Sequence, residues 1–180
     1  MEFFVYGRDR PSVDALRDET TEAHWSFMDR YADALIARGP TLTADGETAT
    51  GSVHIVDLPD RAAAEAFAFD EPYFKAGVFA DVLVCRWRNR LGRTMWQFDR
   101  ELGDEQRFLV IGKAGPGTEP PLADDGRLIV AGPLLSDDGT RWLGTVVLTQ
   151  QPDRAAADSL VLGEPYQSVE VHRWEFGGRR

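Results

Sequence analysis

The chain repeats itself, and that repeat limits the possible folds more than any other feature. "GPTLTADGETATGSVHIVDLPDRAAAEAFAFDEPY" (residues 39–73) lies over "GPLLSDDGTRWLGTVVLTQQPDRAAADSLVLGEPY" (residues 132–166) without a gap. Gly39-Pro40 matches Gly132-Pro133, Asp45-Gly46 matches Asp138-Gly139, and Pro59-Asp60-Arg61 matches Pro152-Asp153-Arg154. Turn residues, helix start and apolar positions stay in step together, which marks a duplication. Further out, "EFFVYGRD" (2–9) resembles "RFLVIGKA" (107–114), and "VCRW" (84–87) resembles "VHRW" (171–174). The expected division is a first unit over residues 1–90, a linker over 91–105 and a degenerate second unit over 106–180.

At 180 residues with 43% hydrophobic content, two half-size units sharing a core are feasible. A net charge of −10 repels a phosphate backbone, so nucleic acid is not an expected partner. The lone Cys85 permits no internal disulfide, and no apolar run approaches membrane-spanning length. A cytoplasmic protein with no membrane partner is the expectation.

Within the first unit, "EFFVY" reads as a strand stopped by Gly7. From Pro11-Ser12 to Arg38 there is no internal Gly or Pro, and His24, Phe27, Met28, Tyr31 and Leu35 recur at three- and four-residue steps. This predicts one long amphipathic helix ended by Gly39. Two extended runs flank Asp45-Gly46, a hairpin signal. "PDRAAAEAFAF" predicts a shorter helix, a loop carries Glu71-Pro72-Tyr73, and "ADVLVCRWR" supplies a closing strand. The order β-α-β-β-α-β is the ferredoxin-like arrangement, an α+β fold. Its helices cover one sheet face, and the repeat offers a partner for the other.

The second copy is reduced. "AGPGTEPPLADDGRLIVA", with Pro116, Pro120 and Pro121, excludes a long helix before Gly132. "GKAGPG" (112–117) lacks the ending of a phosphate loop and reads as a plain loop. "RTMWQFDREL" (93–102), with Met95, Trp96 and Phe98, reads as a clamp between the halves.

Taken together, "EAHWSFMDRYADALIARGPTL", "GSVHIVDLPDRAAAEAFAF" and "DEPYFKAGVFADVLVCRWR" resemble the YCII-related family of the dimeric α/β-barrel superfamily. The resemblance covers almost all of residues 1–90, and the second half resembles a truncated member. It implies two ferredoxin-like units paired through their sheets, here within one chain, with further homodimer formation left open. It also implies a pocket between sheet and helices with a His and an acid as an acid/base pair. The His falls on His24. The acid falls on Glu71, with the adjacent Asp70 as the other candidate. Glu164 keeps the acid in the second copy, where the segment that carries the His is missing.

His24 lies on the apolar stripe, where an imidazole near a carboxylate suits proton transfer; a core histidine bonded to a carbonyl is the competing reading. Glu71 has the competing role of capping a turn. Tyr73 recurs as Tyr166 and is read either as turn packing or as a phenol facing substrate. Tyr6 and Arg8 at the end of the first strand, with Phe27, Met28 and His54, complete the candidate substrate-binding set. His54 faces opposite to Val53 and Ile55. His172 carries a weak signal, Cys85 reads as a small buried residue, and scattered histidines give no metal site.

These residues support an enzyme that needs no cofactor. It would be a lyase, dehydratase, isomerase or cyclase working by acid/base chemistry on a small metabolite, aromatic and polyketide-like compounds among the candidates. The alternatives are a non-catalytic protein that binds a metabolite in the same pocket, and an accessory subunit of a metabolic pathway.

Overall fold

The computed structural model describes residues 1–161, 163 and 165–179. Its first half contains β1 (Glu2–Asp9), α1 (Asp14–Asp29), β2 (Leu35–Leu42), β3 (Ala49–Asp57), α2 (Arg61–Phe69), α3 (Pro72–Ala76) and β4 (Phe79–Trp87). The second contains β5 (Gln106–Ala114), β6 (Leu128–Leu135), β7 (Trp142–Gln151), α4 (Arg154–Asp158) and β8 (Tyr166–Trp174). The strands close one antiparallel barrel in the order β1-β3-β2-β8-β5-β7-β6-β4. Each half is a four-stranded ferredoxin-like sheet, and together they form an α/β barrel within one chain.

The barrel interior is a single apolar cluster drawn from both halves. Phe4, Tyr6, Val53, Ile55 and Trp87 meet Leu109, Ile111, Val146, Leu148 and Trp174. Alternate residues on the same strands point outward: Phe3, Val5 and Val56 pack with Phe27, Met28 and Phe67 beneath α1 and α2. Strands β1, β2, β3, β5, β6 and β7 are thus buried on both faces at their centres, which is why the sequence shows long apolar runs, whereas β4 and β8 are only partly covered.

Two short seams join the halves. Thr41 and Leu42 pair with Trp174 and Arg173, and Arg86 and Trp87 pair with Leu135 and Leu134. The repeated glycines sit at these seams. A Cβ on Gly39 would lie 1.9 Å from the Glu175 carbonyl oxygen, and one on Gly132 would lie 1.7 Å from that of Arg88. The two contacts are equivalent, so the aligned Gly-Pro pairs mark where each half receives the other.

Four local expectations are corrected. The predicted helix to Arg38 ends at Asp29, and Leu35–Leu42 is a strand. Ile36 and Ala37 belong to the interior cluster, so barrel burial overrides the helical preference of "ALIAR". Gly7 does not stop β1; it makes room for the Phe79 ring, which would lie 2.6 Å from a Cβ there. Glu71-Pro72-Tyr73 is not a loop but the cap and first turn of α3, and Gly112–Ala114 belong to β5. The connection read as a clamp enters the barrel: Met95 is 2% exposed within the interior cluster drawn from both halves, and Trp96 stays outside.

In the second half α4 is a single turn, and no helix matches α1 among the described residues. Leu91 and Leu122 from irregular segments cover that sheet face instead. Among the described residues no helix is long and apolar enough to cross a membrane.

Candidate active site

Helix α1 presents Arg17, Thr21, His24 and Met28 on one face, at steps of four, three and four residues. That face looks onto β2 and β3 across a cavity of about 530 Å³. Its walls include Arg17, Thr21, His24, Trp25 and Met28 from α1, Arg38 from β2, Ser52 and His54 from β3, and Tyr73 from α3. Phe176, Gly177 and Gly178, which follow β8, complete it, so the second half of the chain walls the pocket of the first.

Short helix α3 places the acid. Glu71 is its N-cap and Pro72 its first residue, a favourable start because Pro fixes φ and lacks an N–H. Gly77, at φ 84°, ends the helix in the left-handed conformation. Oε2 of Glu71 accepts the Phe74 N–H at 3.0 Å, while Oε1 lies 2.5 Å from Nδ1 of His24. Glu71 is 2% exposed and His24 9%. One carboxylate therefore caps α3 and contacts the imidazole at the same time.

Tyr73 follows from the same turn. Its ring stacks on His24 at 4.2 Å with 16° between planes. Its hydroxyl lies 2.9 Å from Thr21 Oγ1; since Thr21 donates its own proton to the Arg17 carbonyl, the phenol is the donor. The stack and the Glu71 bond fix the imidazole plane. Nδ1 is occupied, leaving Nε2 as the nitrogen available to a molecule in the cavity.

His54 is 5.6 Å from His24, ring to ring, and meets Phe67 edge-on. Burial pushes its pKa well below the usual value, and His24, Arg38 and Arg17 nearby add to the effect, so it stays neutral at physiological pH. Arg17 bonds both oxygens of Asp9, at 2.9 and 2.8 Å, and Ser52 Oγ at 3.1 Å. Burial raises the Asp9 pKa although Arg17 opposes it.

The remaining candidates fall elsewhere. Asp70 is exposed and pairs with Lys75 at 2.8 Å, pointing away from His24. Tyr6 faces the barrel interior, near Thr41 and edge-on to His172. Arg8 pairs with Asp81 and Glu170. Phe27 packs against Tyr31 and Phe67 in the core beneath α1. None of these four lines the cavity: Tyr6 and Arg8 lie on the same side of β1, Phe27 is held in the core beneath α1, and Asp70 is in solvent. Tyr166 bonds Thr145 at 2.9 Å, and Glu164 lies outside the described residues. Burial raises the Cys85 thiol pKa to about 11, which makes it a poor nucleophile.

Reasoning from the apolar stripe missed Arg17 and Thr21. Extending the helical step backwards from His24 finds both. Arg38 was hidden by its assignment to a helix end, and nothing local in the sequence marks Phe176–Gly178.

Residues 1–88, which hold His24, Glu71 and Tyr73, match the YCII-related domain. An uncharacterized protein of Haemophilus influenzae is 30% identical over 91 residues, 47% of this chain and 93% of its own. The chain belongs to the YCII-related family. Among solved structures, the 5-chloro-2-hydroxyhydroquinone dehydrochlorinase from Burkholderia phenoliruptrix, in complex with 2,5-dihydroxybenzoquinone, is 30% identical. It covers 52% of this chain and 99% of its own, with a TM-score of 0.49. An anthrone oxidase-like protein is 11% identical, covering 97% of this chain and 90% of its own, with a TM-score of 0.47. The Haemophilus protein matches about half of this chain, whose barrel is closed by two ferredoxin-like halves.

Proposed function

We propose that this YCII-related protein is an acid/base enzyme acting on a small metabolite, with His24 as the proton carrier and Glu71 as its orienting acid. The observation that carries this reading is the 2.5 Å contact between His24 Nδ1 and Glu71 Oε1 at the wall of a roughly molecule-sized cavity. With Glu71 ionised, Nδ1 must be the donor, so Nε2 holds the lone pair and acts as the base. When Nε2 takes a proton from a substrate carbon or hydroxyl, the imidazolium that forms is stabilised by the adjacent carboxylate. The same proton then returns to a leaving group or to a different carbon. Elimination, isomerisation and cyclisation all fit this cycle, which asks only for a proton carrier. The walls formed by Trp25, Met28, Tyr73 and Phe176 favour a flat, partly apolar compound.

The test compares wild type with His24→Gln, offering 5-chloro-2-hydroxyhydroquinone and other small ring compounds with eliminable groups. Binding of 2,5-dihydroxybenzoquinone is followed in parallel. The reading expects turnover in the wild type that falls about 100-fold or more in the variant while the fold is retained. Turnover within a few-fold of wild type removes His24 from the reaction. Binding without turnover of any compound points instead to a metabolite-binding protein.

A further inference from the structure

We infer that Arg38 is the anion-binding residue of this cavity, and that the molecules it takes carry a carboxylate or an ionised enolic or phenolic oxygen. The inference rests on the reading of the cavity as a substrate site, and deepens it. Charge in the cavity is unevenly distributed. The acids at its edge, Asp14, Asp18 and Glu47, are exposed, whereas the cations Arg17 and Arg38 lie inside. Arg17 is neutralised by Asp9, and Glu71 is engaged by His24.

Arg38 has no carboxylate partner among the described residues. It is 8% exposed, and its only side-chain hydrogen bond among the described residues runs from Nη2 to the Arg179 carbonyl oxygen at 2.5 Å. Its Nε is buried and has no partner among the described residues. Asp29, whose charge reaches it, is already paired with Arg179 at 2.8 Å. A buried cation without a carboxylate is costly, and its retention against a cavity wall is accounted for by an anion that arrives with the ligand. The planar guanidinium suits an oxygen anion presented edge-on.

Position supports the assignment. Arg38 stands directly across from His54 in the β2–β3 register, and His54 neighbours His24. A ring held by its anionic group at Arg38 therefore extends toward Nε2 of His24 past a histidine that stays neutral. The segment after β8 fixes the guanidinium from above: a Cβ on Gly178, which has φ 83°, would lie 2.4 Å from Arg38 Nε. Arg179 anchors that segment to α1 through Glu22 and Asp29. The second half of the chain thus sets the specificity of the first.

Calorimetric titration of the full chain at pH 8 tests this with three probes: benzoate, the neutral isostere benzamide, and 2,5-dihydroxybenzoquinone as an ionised enol. Wild type is expected to bind benzoate or the quinone about tenfold or more tighter than benzamide. Which of the two anions binds tells a carboxylate from an enolate. The preference disappears in Arg38→Met and is partly kept in Arg38→Lys, and a thermal melt shows that each variant is folded. If Arg38→Met does not fold, Arg38→Lys and Arg38→Gln carry the comparison. Equal binding of benzamide, no binding of either anion by wild type, or an anion preference that survives Arg38→Met each overturns the inference. Because binding is read without turnover, a His24-dependent activity that shows no anion preference refutes this assignment alone. An anion preference without any turnover refutes only the catalytic reading.

Discussion

Nδ1 of His24 and Oε1 of Glu71 lie 2.5 Å apart although 47 residues separate them, and the same carboxylate caps the helix that carries Tyr73. Glu71→Gln keeps an acceptor for the Phe74 N–H but removes the charge that stabilises an imidazolium. Turnover is expected to fall by roughly 100-fold or more, with stability changed by no more than about 2 kcal/mol. Paired kinetics and thermal melts check this; a variant that unfolds as readily as it loses activity would make Glu71 a structural cap only.

Stability should fall as pH drops below the ordinary histidine range. His54 is buried and its folded pKa is depressed by burial, so the unfolded chain takes up a proton near 6.5 while the folded one does not. Its contribution is complete above 6.5 and is lost as pH descends toward the folded value, with a slope approaching about 1.4 kcal/mol per pH unit for one such proton. Burial also lowers the pKa of His172 and adds to the same window. Glu170 acts at lower pH: burial opposes its ionisation, but Lys113 and Arg8 hold its pKa at about 2. Urea denaturation between pH 7.5 and 5 should show this decline, flatter in His54→Asn; parallel curves for the two proteins would exclude His54 as a cause.

Gly39→Ala and Gly132→Ala should damage the barrel to similar extents, because each methyl meets a backbone carbonyl across a seam. A loss of about 3 kcal/mol or more is expected from overpacking against a backbone that cannot move aside cheaply. Two tolerated substitutions, measured by melting temperature, would show that the halves are held together elsewhere.

Met95 should stabilise the barrel from within. Its side chain sits in the interior cluster, and its sulfur accepts the Arg38 N–H at 3.2 Å. Met95→Ala leaves a hole that costs about 2–5 kcal/mol, whereas Trp96→Ala, at an exposed position, costs far less. Reversal of that order in chemical denaturation contradicts the role assigned to the connection.

Much of the fold was legible because the repeat aligned turns and caps: Asp60 and Asp153 each cap the helix that follows them. The 35–42 segment was not legible, since Leu35, Ile36 and Ala37 suit a helix locally and only pairing with β3 and barrel burial make them a strand. At the site, His24 and Glu71 were found by residue type and resemblance. Asp70 and Glu71 could not be told apart in sequence; capping of α3 turns one inward and leaves the other in solvent. Arg38 and Phe176–Gly178 come together only through the β2–β8 seam, which joins the first half of the chain to the end of the second.

The most direct test is the protonation of the His24 ring itself, read from its nitrogen-15 chemical shifts in the folded protein at neutral to mildly alkaline pH. The account predicts that Nδ1 carries the proton toward Glu71 while Nε2 has the free lone pair, and that Glu71→Gln disturbs this pattern. A proton fixed on Nε2, with Nδ1 bare and Glu71 protonated as the donor, would contradict it.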